Sequence, residues 1–448
     1  MKFYIASKLE NHAQVKRLAS LLKQFGWTHT YDWTAHGSVK ETDRETLKAV
    51  GQQEYDGVKA ADIVIVLTPQ GRGTHVELGM AIALNKLVCI CHKDETYFQC
   101  DDNTSAFYWL PNVRHFAGNM EALAEQLRST QLPSGHEIAE SIGISSAEIP
   151  DKIEYALLES TKEDGCTRQR IQYDSFGDKV SAYLLIPDVV GSSPAILINH
   201  QHNSEWHLGK SEVCGLAGNP LQAFEFALAQ KGIVVLAPDS ICFEDRRKNG
   251  QGITPLPGDA DFMQHFNALC YSIVQGDNLM QTVLRDAMNG ISLLASLPYV
   301  DSKKIGTMGH SYGGNTVLFL AAADERIAFG CASGSACTYA NRMENNVGIE
   351  MASVIPGFHQ KFDMDDLLRC IAPRPMLVVS AQEDKYSKDA PYTVEKARPA
   401  YAQYGAESQL YHKRYPGGHG LTEERFADIV AWLEKQAKIC NAAKPERK

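Results

Sequence analysis

The sequence has no excess of positive charge, because 54 acidic residues outnumber 44 basic ones and the formal net charge is −10. A chain of that sign does not attract nucleic acid or anionic lipid, so we expect neither as a partner. No apolar stretch approaches the roughly 20 residues that cross a bilayer. Residues 1–6 have the length and flanks of a strand rather than of a signal peptide. We therefore predict no membrane segment.

The 11 cysteines are scattered, and no C-x-x-C pair occurs among them. Short cysteine spacings are typical of metal and redox sites, and dense cysteine frameworks are typical of small secreted domains. We predict free thiols, a cytoplasmic location, and neither a metal nor a cofactor. Fixed-period repeats and low-complexity tracts are also missing, and 448 residues exceed one ordinary domain. Two or three domains are expected.

The most informative stretch is G-T-M-G-H-S-Y-G-G at residues 306–314. An apolar run precedes it and a run with helical spacing follows it, which predicts a strand, a sharp turn and a helix. A serine at such a turn, flanked by Gly309 and Gly313, is a nucleophile elbow. We predict that Ser311 is a nucleophile and that the backbone N–H of Tyr312 stabilises an oxyanion. The alternative is an ordinary strand–helix turn with a capping serine.

An acid and a histidine follow the elbow in the chain order that an α/β hydrolase requires. Asp384 comes just after a predicted strand at 375–381, and His419 lies in P-G-G-H-G-L before the last predicted helix. The imidazole would take the proton of Ser311 and return it to the leaving group, while the carboxylate holds the tautomer. Glu383 is the nearest rival acid.

The loop H-Q-H-N at residues 200–203 follows a predicted buried strand at 195–199. Such a loop supplies the second oxyanion donor in esterases, and we favour the backbone N–H of Gln201 over that of His202. The pair His200 and His202 also resembles part of a metal-binding motif, but no third ligand follows at the sequence spacing typical of metal sites.

A charged segment, C-F-E-D-R-R at residues 242–247, follows a predicted strand at 233–238. Arg246 and Arg247 could hold an acidic group of a substrate. A solvated run of charge is the more frequent outcome for such a segment, and we favour it.

Residues 153–440 resemble the dienelactone hydrolase and acetyl-xylan-esterase-like branch of the α/β hydrolases. The resemblance rests on H-Q-H-N, G-H-S-Y-G-G, E-D-K-Y and G-G-H-G-L. Dienelactone hydrolases use a cysteine nucleophile, so Ser311 implies a small-molecule ester or thioester as the substrate. A peptidase is an alternative, because peptidases share the elbow.

Strands alternate with helices over the first 130 residues, which predicts a doubly wound parallel sheet of the flavodoxin or Rossmann type. Ligands bind at the carboxyl ends of such strands. That rule points to P-Q-G-R-G-T-H-V-E-L-G, which follows the apolar run at 62–67. Spacing alone favours a capping box in which Glu77 returns to the N–H of Thr74. The alternative is a carboxylate nucleophile for a glycosyl carbon.

Residues 2–128 resemble the nucleoside 2-deoxyribosyltransferase family in K-F-Y-I-A, A-D-I-V-I-V, G-T-H-V-E-L-G-M-A and N-K-L-V. The resemblance implies that Glu77 attacks the anomeric carbon and that Tyr4 orients its carboxylate. Gly73 and Thr74 would line the ribose or phosphate side. Arg72 stands where these transferases commonly carry an aspartate, which implies a phosphate or another acidic group on the ligand.

The resemblance thus implies a nucleoside, a nucleotide or an NAD-like dinucleotide as the ligand of this domain. It also implies homo-oligomers, because the related transferases build their sites across subunits. The segment T-Y-D-W-T at residues 30–34 could supply Tyr31, Asp32 or Trp33 to a base pocket. A strand end that packs its aromatic side chains is an equal alternative.

We predict an α/β protein of two domains, with the transferase-like domain at 1–130, a linker at 131–152 and an α/β-hydrolase fold at 153–440. The linker has few large apolar residues and room for one short helix near 137–141. The leading hypothesis is a bifunctional enzyme that hydrolyses an ester and cleaves or transfers an N-glycosidic bond. The alternative is a serine hydrolase regulated by a domain that binds a nucleotide without chemistry.

Overall fold

The computed structural model describes residues 1–36, 42–69, 71–101, 104–110, 112–130, 133–189 and 191–439. The chain divides into two compact units, Met1–Gln131 and Leu132–Lys448. Each unit has its own sheet and its own buried apolar core. The sequence predicts a long polar helix over 41–61, and its first residue lies outside the described residues, as does the predicted domain border at 131.

In the described part of the first unit, five parallel strands form one sheet in the order β2-β1-β3-β4-β5. The strands are β1 (Lys2–Ala6), β2 (Thr28–His29), β3 (Ile63–Leu67), β4 (Leu87–His92) and β5 (Val113–Ala117), and the α-helices are α1 (His12–Gln24), α2 (Arg44–Ala60), α3 (Arg72–Ala83) and α4 (Met120–Thr130). The strand order reverses direction next to β1, as in doubly wound folds. The predicted fold class of this unit is confirmed.

Two elements of the first unit differ from the sequence prediction. The sequence of residues 27–33 predicts a strand, but the structure has only the two-residue β2 there, and a short 3-10 turn, Trp33–Ala35, comes after it. The strand β5 was not predicted, because its sequence V-R-H-F-A carries two polar side chains and only Phe116 is buried. An edge strand with so little burial has no apolar pattern to reveal it.

The second unit contains a mixed sheet of nine described strands in the order β14-β13-β12-β11-β9-β10-β8-β7-β6. The strands are β6 (Tyr155–Glu163), β7 (Cys166–Ser175), β8 (Asp178–Pro187), β9 (Ser193–Asn199), β10 (Val234–Pro238), β11 (Val300–His310), β12 (Phe329–Ser333), β13 (Met376–Ala381) and β14 (Leu410–Tyr415). The first three are antiparallel, and the strands from β9 to β14 run parallel. This is the α/β-hydrolase arrangement, so the predicted fold class is confirmed here too.

The α-helices of this unit fill both faces of the sheet. They are α5 (Gly135–Ile142), α6 (Lys210–Val213), α7 (Phe224–Ala229), α8 (Ala260–Val274), α9 (Leu279–Ser296), α10 (Tyr312–Ala323), α11 (Tyr339–Glu344), α12 (Met364–Ile371), α13 (Ala390–Ala402) and α14 (Glu423–Ile439). Helices α6, α8, α11 and α12 were not predicted. The residues 333–366 are rich in Met, Asn and Gly, which favours an irregular lid, but α11 and the start of α12 lie within them. None of the helices among the described residues combines the length and apolarity needed to cross a membrane.

The segment expected to be a linker, 131–152, is integrated into the second unit over its described residues. Helix α5 begins at a capping box of Ser134 and Glu137, and Ile138 and Ile142 enter the apolar core. A Cβ on Gly135 would lie 2.8 Å from the carbonyl oxygen of Ala322, so the helix packs at backbone distance from α10. The linker prediction was wrong because two buried isoleucines suffice to dock one short helix.

Candidate active sites

The strand β11 turns into α10 at Ser311, whose backbone lies at φ 58° and ψ −117°. A non-glycine residue adopts such a strained backbone conformation only where the surrounding structure enforces it. A Cβ on Gly309 would lie 2.4 Å from the carbonyl carbon of Gly313, and a Cβ on Gly313 would lie 2.0 Å from the carbonyl oxygen of Asn199. Both glycines are therefore required by close backbone packing, as a nucleophile elbow demands.

The loops after β11, β13 and β14 bring three side chains into one hydrogen-bonded row. The Nε2 atom of His419 lies 2.7 Å from the Oγ of Ser311, and its Nδ1 atom lies 3.0 Å from Oδ1 of Asp384. Carboxylate, imidazole and hydroxyl thus stand in the order that activates a serine.

The carboxyl group of Asp384 is almost completely buried, and two hydrogen-bond donors besides His419 hold its oxygens in place. Its Oδ2 atom accepts a hydrogen bond from the hydroxyl of Ser387 at 2.6 Å, and Oδ1 accepts one from the N–H of Tyr386 at 2.9 Å. Burial alone would raise the pKa of this carboxyl, but the bonds from His419, Ser387 and Tyr386 outweigh it and hold the pKa below its usual range. Asp384 is therefore charged near neutral pH and can stabilise an imidazolium.

The glycine-rich loop that carries His419 is held by a residue that sequence reasoning missed. The buried guanidinium of Arg425, on α14, donates to the carbonyl oxygens of Gly418, Gly420 and Pro416 at 2.8, 2.7 and 2.6 Å. His310, inside the elbow, packs its ring 5.0 Å from that of His419, and burial lowers its pKa to about 3. His310 is therefore uncharged and lines the site beside His419.

Both candidate oxyanion donors belong to segments that meet at the elbow. Tyr312 is the first residue of α10, where backbone N–H groups have no partner within the helix. Gln201 follows β9, and the carbonyl oxygens of Asn199 and His200 in the same loop lie 2.0 and 2.8 Å from where a Cβ of Gly313 would be. The loop and the helix N-terminus are thus neighbours.

The charged segment after β10 is neither a solvated run nor a substrate clamp. Arg246 is buried and bonds to Asp286 at 2.6 Å and Asp178 at 2.7 Å. Arg247 is also buried and grips both oxygens of Asp261 at 2.9 and 2.8 Å. The prediction of a solvated charge run was wrong, because both arginines are buried and each meets a carboxylate outside the segment.

Two groups in this region have the composition of a metal site. Asp239, Glu244 and Asp245 cluster together, but the buried ammonium of Lys210 lies 2.7, 2.5 and 2.8 Å from their oxygens and supplies the positive charge. His200 accepts a bond from the N–H of Ser240 at 3.0 Å through Nε2, which leaves Nδ1 to donate to its neighbour's carbonyl. These side chains already have protein partners.

In the first unit, Glu77 of α3 and Tyr4 of β1 are both buried, and the Tyr4 hydroxyl donates a short hydrogen bond to Oε1 of Glu77. Burial raises the pKa of Glu77 to about 7, although the bond from Tyr4 opposes the shift. Sequence reasoning chose both residues. A carboxyl in this setting is partly ionised at neutral pH, which suits a carboxylate nucleophile.

The capping-box interpretation of Thr74 and Glu77 is wrong. Helix α3 begins at Arg72, two residues before Thr74, and the Thr74 hydroxyl accepts a bond from the N–H of Gly71 at 3.2 Å. Glu77 therefore lies inside the helix and faces Tyr4. Arg72 and Gly73 are exposed in the first turn of α3.

The three candidate residues of the segment 30–34 differ in burial and in their hydrogen-bond partners. Trp33 is buried and donates through Nε1 to the carbonyl of Ile5 at 2.7 Å, and Asp32 caps the turn that follows by accepting from Thr34. Tyr31 and Asp32 are partly exposed, and the Tyr31 hydroxyl donates to Gln53 at 2.9 Å. Packing and capping thus explain two of the three.

A second carboxyl, Glu54 of α2, was missed by sequence reasoning because its helix is polar along most of its length. It is half-buried, burial raises its pKa, and its charge raises the pKa of Tyr4, Tyr31 and Glu77. Helix α2 reaches this position because Gly57 leaves room for the ring of Tyr4, which would lie 3.0 Å from a Cβ there. Two acids therefore face the same tyrosine.

Two protein families match separate parts of the chain. Residues 3–141 match the nucleoside 2-deoxyribosyltransferase family, and residues 274–438, which contain Ser311, Asp384 and His419, match the prolyl oligopeptidase family. The fold and the sites thus define a two-domain enzyme. Its second domain is a serine hydrolase with an α/β-hydrolase fold, and its first domain is nucleoside 2-deoxyribosyltransferase-like.

Two similar proteins are named as a hydrolase and an esterase. "Putative hydrolase YtaP" of Bacillus subtilis is 26% identical over 270 residues, which are 58% of this chain and 84% of that protein. "Carbohydrate esterase MZ0003", from an unknown prokaryotic organism, is 32% identical over 104 residues, 20% of this chain and 24% of that protein.

Solved structures share the fold at low sequence identity. A "putative acetyl xylan esterase" from Bacteroides fragilis has a TM-score of 0.54 and 14% identity, covering 70% of this chain and 88% of that one. A glucuronoyl esterase from Solibacter usitatus has a TM-score of 0.50 and 16% identity, covering 67% and 91%. These matches establish the α/β-hydrolase fold of the second unit.

Proposed function

We propose that the second unit is a carboxylic ester hydrolase in which Ser311 is the nucleophile, His419 the general base and Asp384 its orienting acid. The observation that carries the proposal is the continuous row of hydrogen bonds from carboxylate to imidazole to hydroxyl. The strained elbow supports it, because that backbone conformation serves to expose a hydroxyl at a helix N-terminus.

The geometry supports an acyl-enzyme mechanism. The Ser311 oxygen attacks the ester carbonyl carbon while His419 Nε2 accepts its proton, and the carbonyl oxygen becomes an oxyanion held by the N–H groups of Tyr312 and Gln201. When this intermediate collapses, the alcohol leaves with the proton from His419. A water molecule then gives its proton to the same imidazole and attacks the acyl carbon. When this second intermediate collapses, the Ser311 oxygen takes the proton back from His419 and the acid leaves.

The substrate we favour is a small ester, including an acyl ester of a carbohydrate. The relatives named as acetyl xylan esterase and carbohydrate esterase support this choice. A peptidase is the second candidate, because the prolyl oligopeptidase family matches the segment that contains the three residues. Hydrolysis of p-nitrophenyl acetate and acetylated xylo-oligosaccharides should be compared with that of proline-containing peptide anilides. Faster cleavage of the anilides would make the peptidase, rather than the esterase, the favoured function.

A fluorophosphonate probe tests the nucleophile directly, because it reacts with an activated serine and stays bound. The wild type should be labelled at one site per chain, and Ser311→Ala should be neither labelled nor active on p-nitrophenyl acetate. Ser335→Ala is a matched control, since Ser335 is also a buried serine of this domain. Labelling of Ser311→Ala would remove the assignment.

We propose that the first unit cleaves the N-glycosidic bond of a nucleoside or nucleotide. The supporting observation is a buried carboxyl with a raised pKa, Glu77, held by Tyr4. Its oxygen would attack the anomeric carbon as the base departs, and the departing base would take its proton from water. Water or an acceptor base would then release the sugar from Glu77. The exposed Arg72 would meet a phosphate, while Gly73 and Thr74 line the sugar side.

The alternative for the first unit is a non-catalytic domain that binds a nucleotide or NAD-derived ligand and regulates the hydrolase. Arg72 favours it, because a cation stands where the related transferases commonly carry an acid. Deoxynucleosides, nucleotides and NAD should be incubated with the wild type and with Glu77→Gln, and free base measured by chromatography. Base release that is lost in the variant supports catalysis. Saturable binding without base release supports regulation.

We also propose a cytoplasmic location and self-association of the chain. The location is supported by the cysteines, since the ten within the described residues are free thiols. Fractionation of cells that express the protein tests the first proposal, and light scattering of the purified chain tests the second.

A further inference from the structure

The side chain of Gln201 is turned into the second unit rather than toward a substrate. Its Nε2 atom donates to both carboxylate oxygens of Glu212, each at 3.0 Å. Gln201 is 7% exposed and Glu212 is 2% exposed. Burial raises the pKa of Glu212, and the bonds from the N–H of Asn219 and from the Gln201 side chain oppose that shift. Both oxygens of the Glu212 carboxyl accept from Gln201, as the oxygens of a carboxylate can. Glu212 therefore anchors the residue whose backbone N–H is our candidate oxyanion donor.

Glu212 is itself fixed by its surroundings. Its Oε1 atom also accepts a bond from the N–H of Asn219 at 3.2 Å. A Cβ on Gly218 would lie 2.8 Å from the Glu212 Cγ, so the chain turns closely around this side chain. A carboxylate with three such restraints has one position.

The short helix that carries Glu212 is bound to the loop after β10. The N–H of Lys210 donates to Asp239 at 2.8 Å, and the N–H and hydroxyl of Ser211 donate to Glu244 at 2.9 and 2.6 Å. The ammonium of Lys210 also bonds to Asp239, Glu244 and Asp245. This ionic cluster holds α6 in place and thereby fixes the backbone of Glu212.

The far end of the anchored loop lies against the elbow. The carbonyl oxygens of Asn199 and His200 approach Gly313 at backbone distance. A displacement of Gln201 would therefore change the space between its N–H and the hydroxyl of Ser311. Oxyanion stabilisation depends on donors that are already in place before the charge develops.

We propose that Glu212 is a positioning residue for the oxyanion hole: its buried carboxylate holds the Gln201 side chain and thereby aims the Gln201 N–H at the oxygen of the bound ester. This inference rests on the proposed esterase function. The effect is expected in the transition state alone, because the ground-state carbonyl carries little charge.

The test uses the full chain with Glu212→Gln, Glu212→Ala and Gln201→Ala, and with the double variant that combines Glu212→Ala and Gln201→Ala. Gln201→Ala keeps its backbone N–H, and Glu212→Gln turns an N–H₂ group toward that of Gln201. Glu205→Gln is the matched control, since Glu205 lies in the same loop and its carboxylate accepts a hydrogen bond from the exposed Asn203 side chain. The charge of Glu205 raises the pKa of Glu212, so its removal favours the ionised Glu212 and leaves the contact with Gln201 in place. The readouts are kcat and KM on p-nitrophenyl acetate, with the active fraction counted by fluorophosphonate end-point labelling.

Per active site, kcat should fall about 10- to 100-fold in each Glu212 variant with KM changed less than twofold, which is below the loss for deleting an oxyanion donor. Glu205→Gln should match the wild type. The double variant should lose no more than Glu212→Ala, because both substitutions break one contact. Three results would overturn the proposal: an unchanged kcat per labelled site, a loss confined to KM, or additive losses. Labelling of Ser311→Ala would instead overturn the esterase function itself.

Discussion

Gly313→Ala tests the link between the elbow and the oxyanion loop most severely. The added Cβ would lie 2.0 Å from the carbonyl oxygen of Asn199, 2.7 Å from its carbonyl carbon and 2.8 Å from the carbonyl oxygen of His200. All three neighbours are backbone atoms, so no side-chain rotation can relieve the contact. Reaching the roughly 3.5 Å at which such atoms attract requires the loop and α10 to separate by more than about 1 Å.

A misplacement of about 1 Å can cost roughly 100-fold in rate, which corresponds to about 2.7 kcal/mol of barrier. We therefore expect Gly313→Ala to lower kcat on p-nitrophenyl acetate by about two orders of magnitude. Overpacking should also lower the free energy of unfolding by about 1–3 kcal/mol. Steady-state kinetics and thermal unfolding measure the two effects on the same sample.

The matched control is Gly348→Ala, since a Cβ there meets nothing within 4 Å and its φ is not positive. It should leave both kcat and the unfolding temperature near wild type. Wild-type kcat in Gly313→Ala would refute the reasoning, because it would mean that loop and elbow can separate without consequence for the chemistry.

Three further changes have outcomes that the structure specifies. Asp384→Asn removes the charge that fixes the His419 tautomer, so kcat of ester hydrolysis should fall about 10⁴-fold with the fold intact. Arg425→Lys replaces a fork that reaches three carbonyl groups by a single ammonium, so kcat should fall about 10-fold. Tyr4→Phe removes a bond to the charged form of Glu77. Since such a bond contributes roughly 1.5–3 kcal/mol, the pKa should rise by about 1–2 pH units above about 7.

The sign of the last prediction follows from the chemistry. A carboxylate nucleophile acts when ionised, so base release by the wild type should increase as the pH rises through about 7. The Tyr4→Phe profile should shift to higher pH, and circular dichroism should report unchanged folding. A shift to lower pH would contradict the hydrogen-bond direction, and a profile without an ionisation near pH 7 would argue against Glu77 as the nucleophile. For Asp384→Asn and Arg425→Lys, unchanged kcat would exclude the proposed roles.

The sequence alone determined the fold class of both units and nominated Ser311, Asp384, His419 and Glu77. Alternating apolar runs and helical spacings are local patterns, and a glycine-flanked serine between a strand and a helix is a local constraint, so both can be recognised without coordinates. Only the tertiary structure decided which partners the buried arginines meet. Arg246 meets Asp178 and Asp286, and Arg425 meets three carbonyl groups of the histidine loop.

The same distinction explains the errors. The capping-box and linker predictions relied on spacing and composition, whereas the Tyr4 hydroxyl and the core around Ile138 come from distant parts of the chain. Glu54 and Glu212 gave no local signal, because a single acid on a polar helix or loop is common. Glu54 acts on Tyr4 from a distant part of the chain, and Glu212 meets Gln201 where the short helix α6 is bound to the loop after β10. Both placements are set by the fold rather than by the residues on either side.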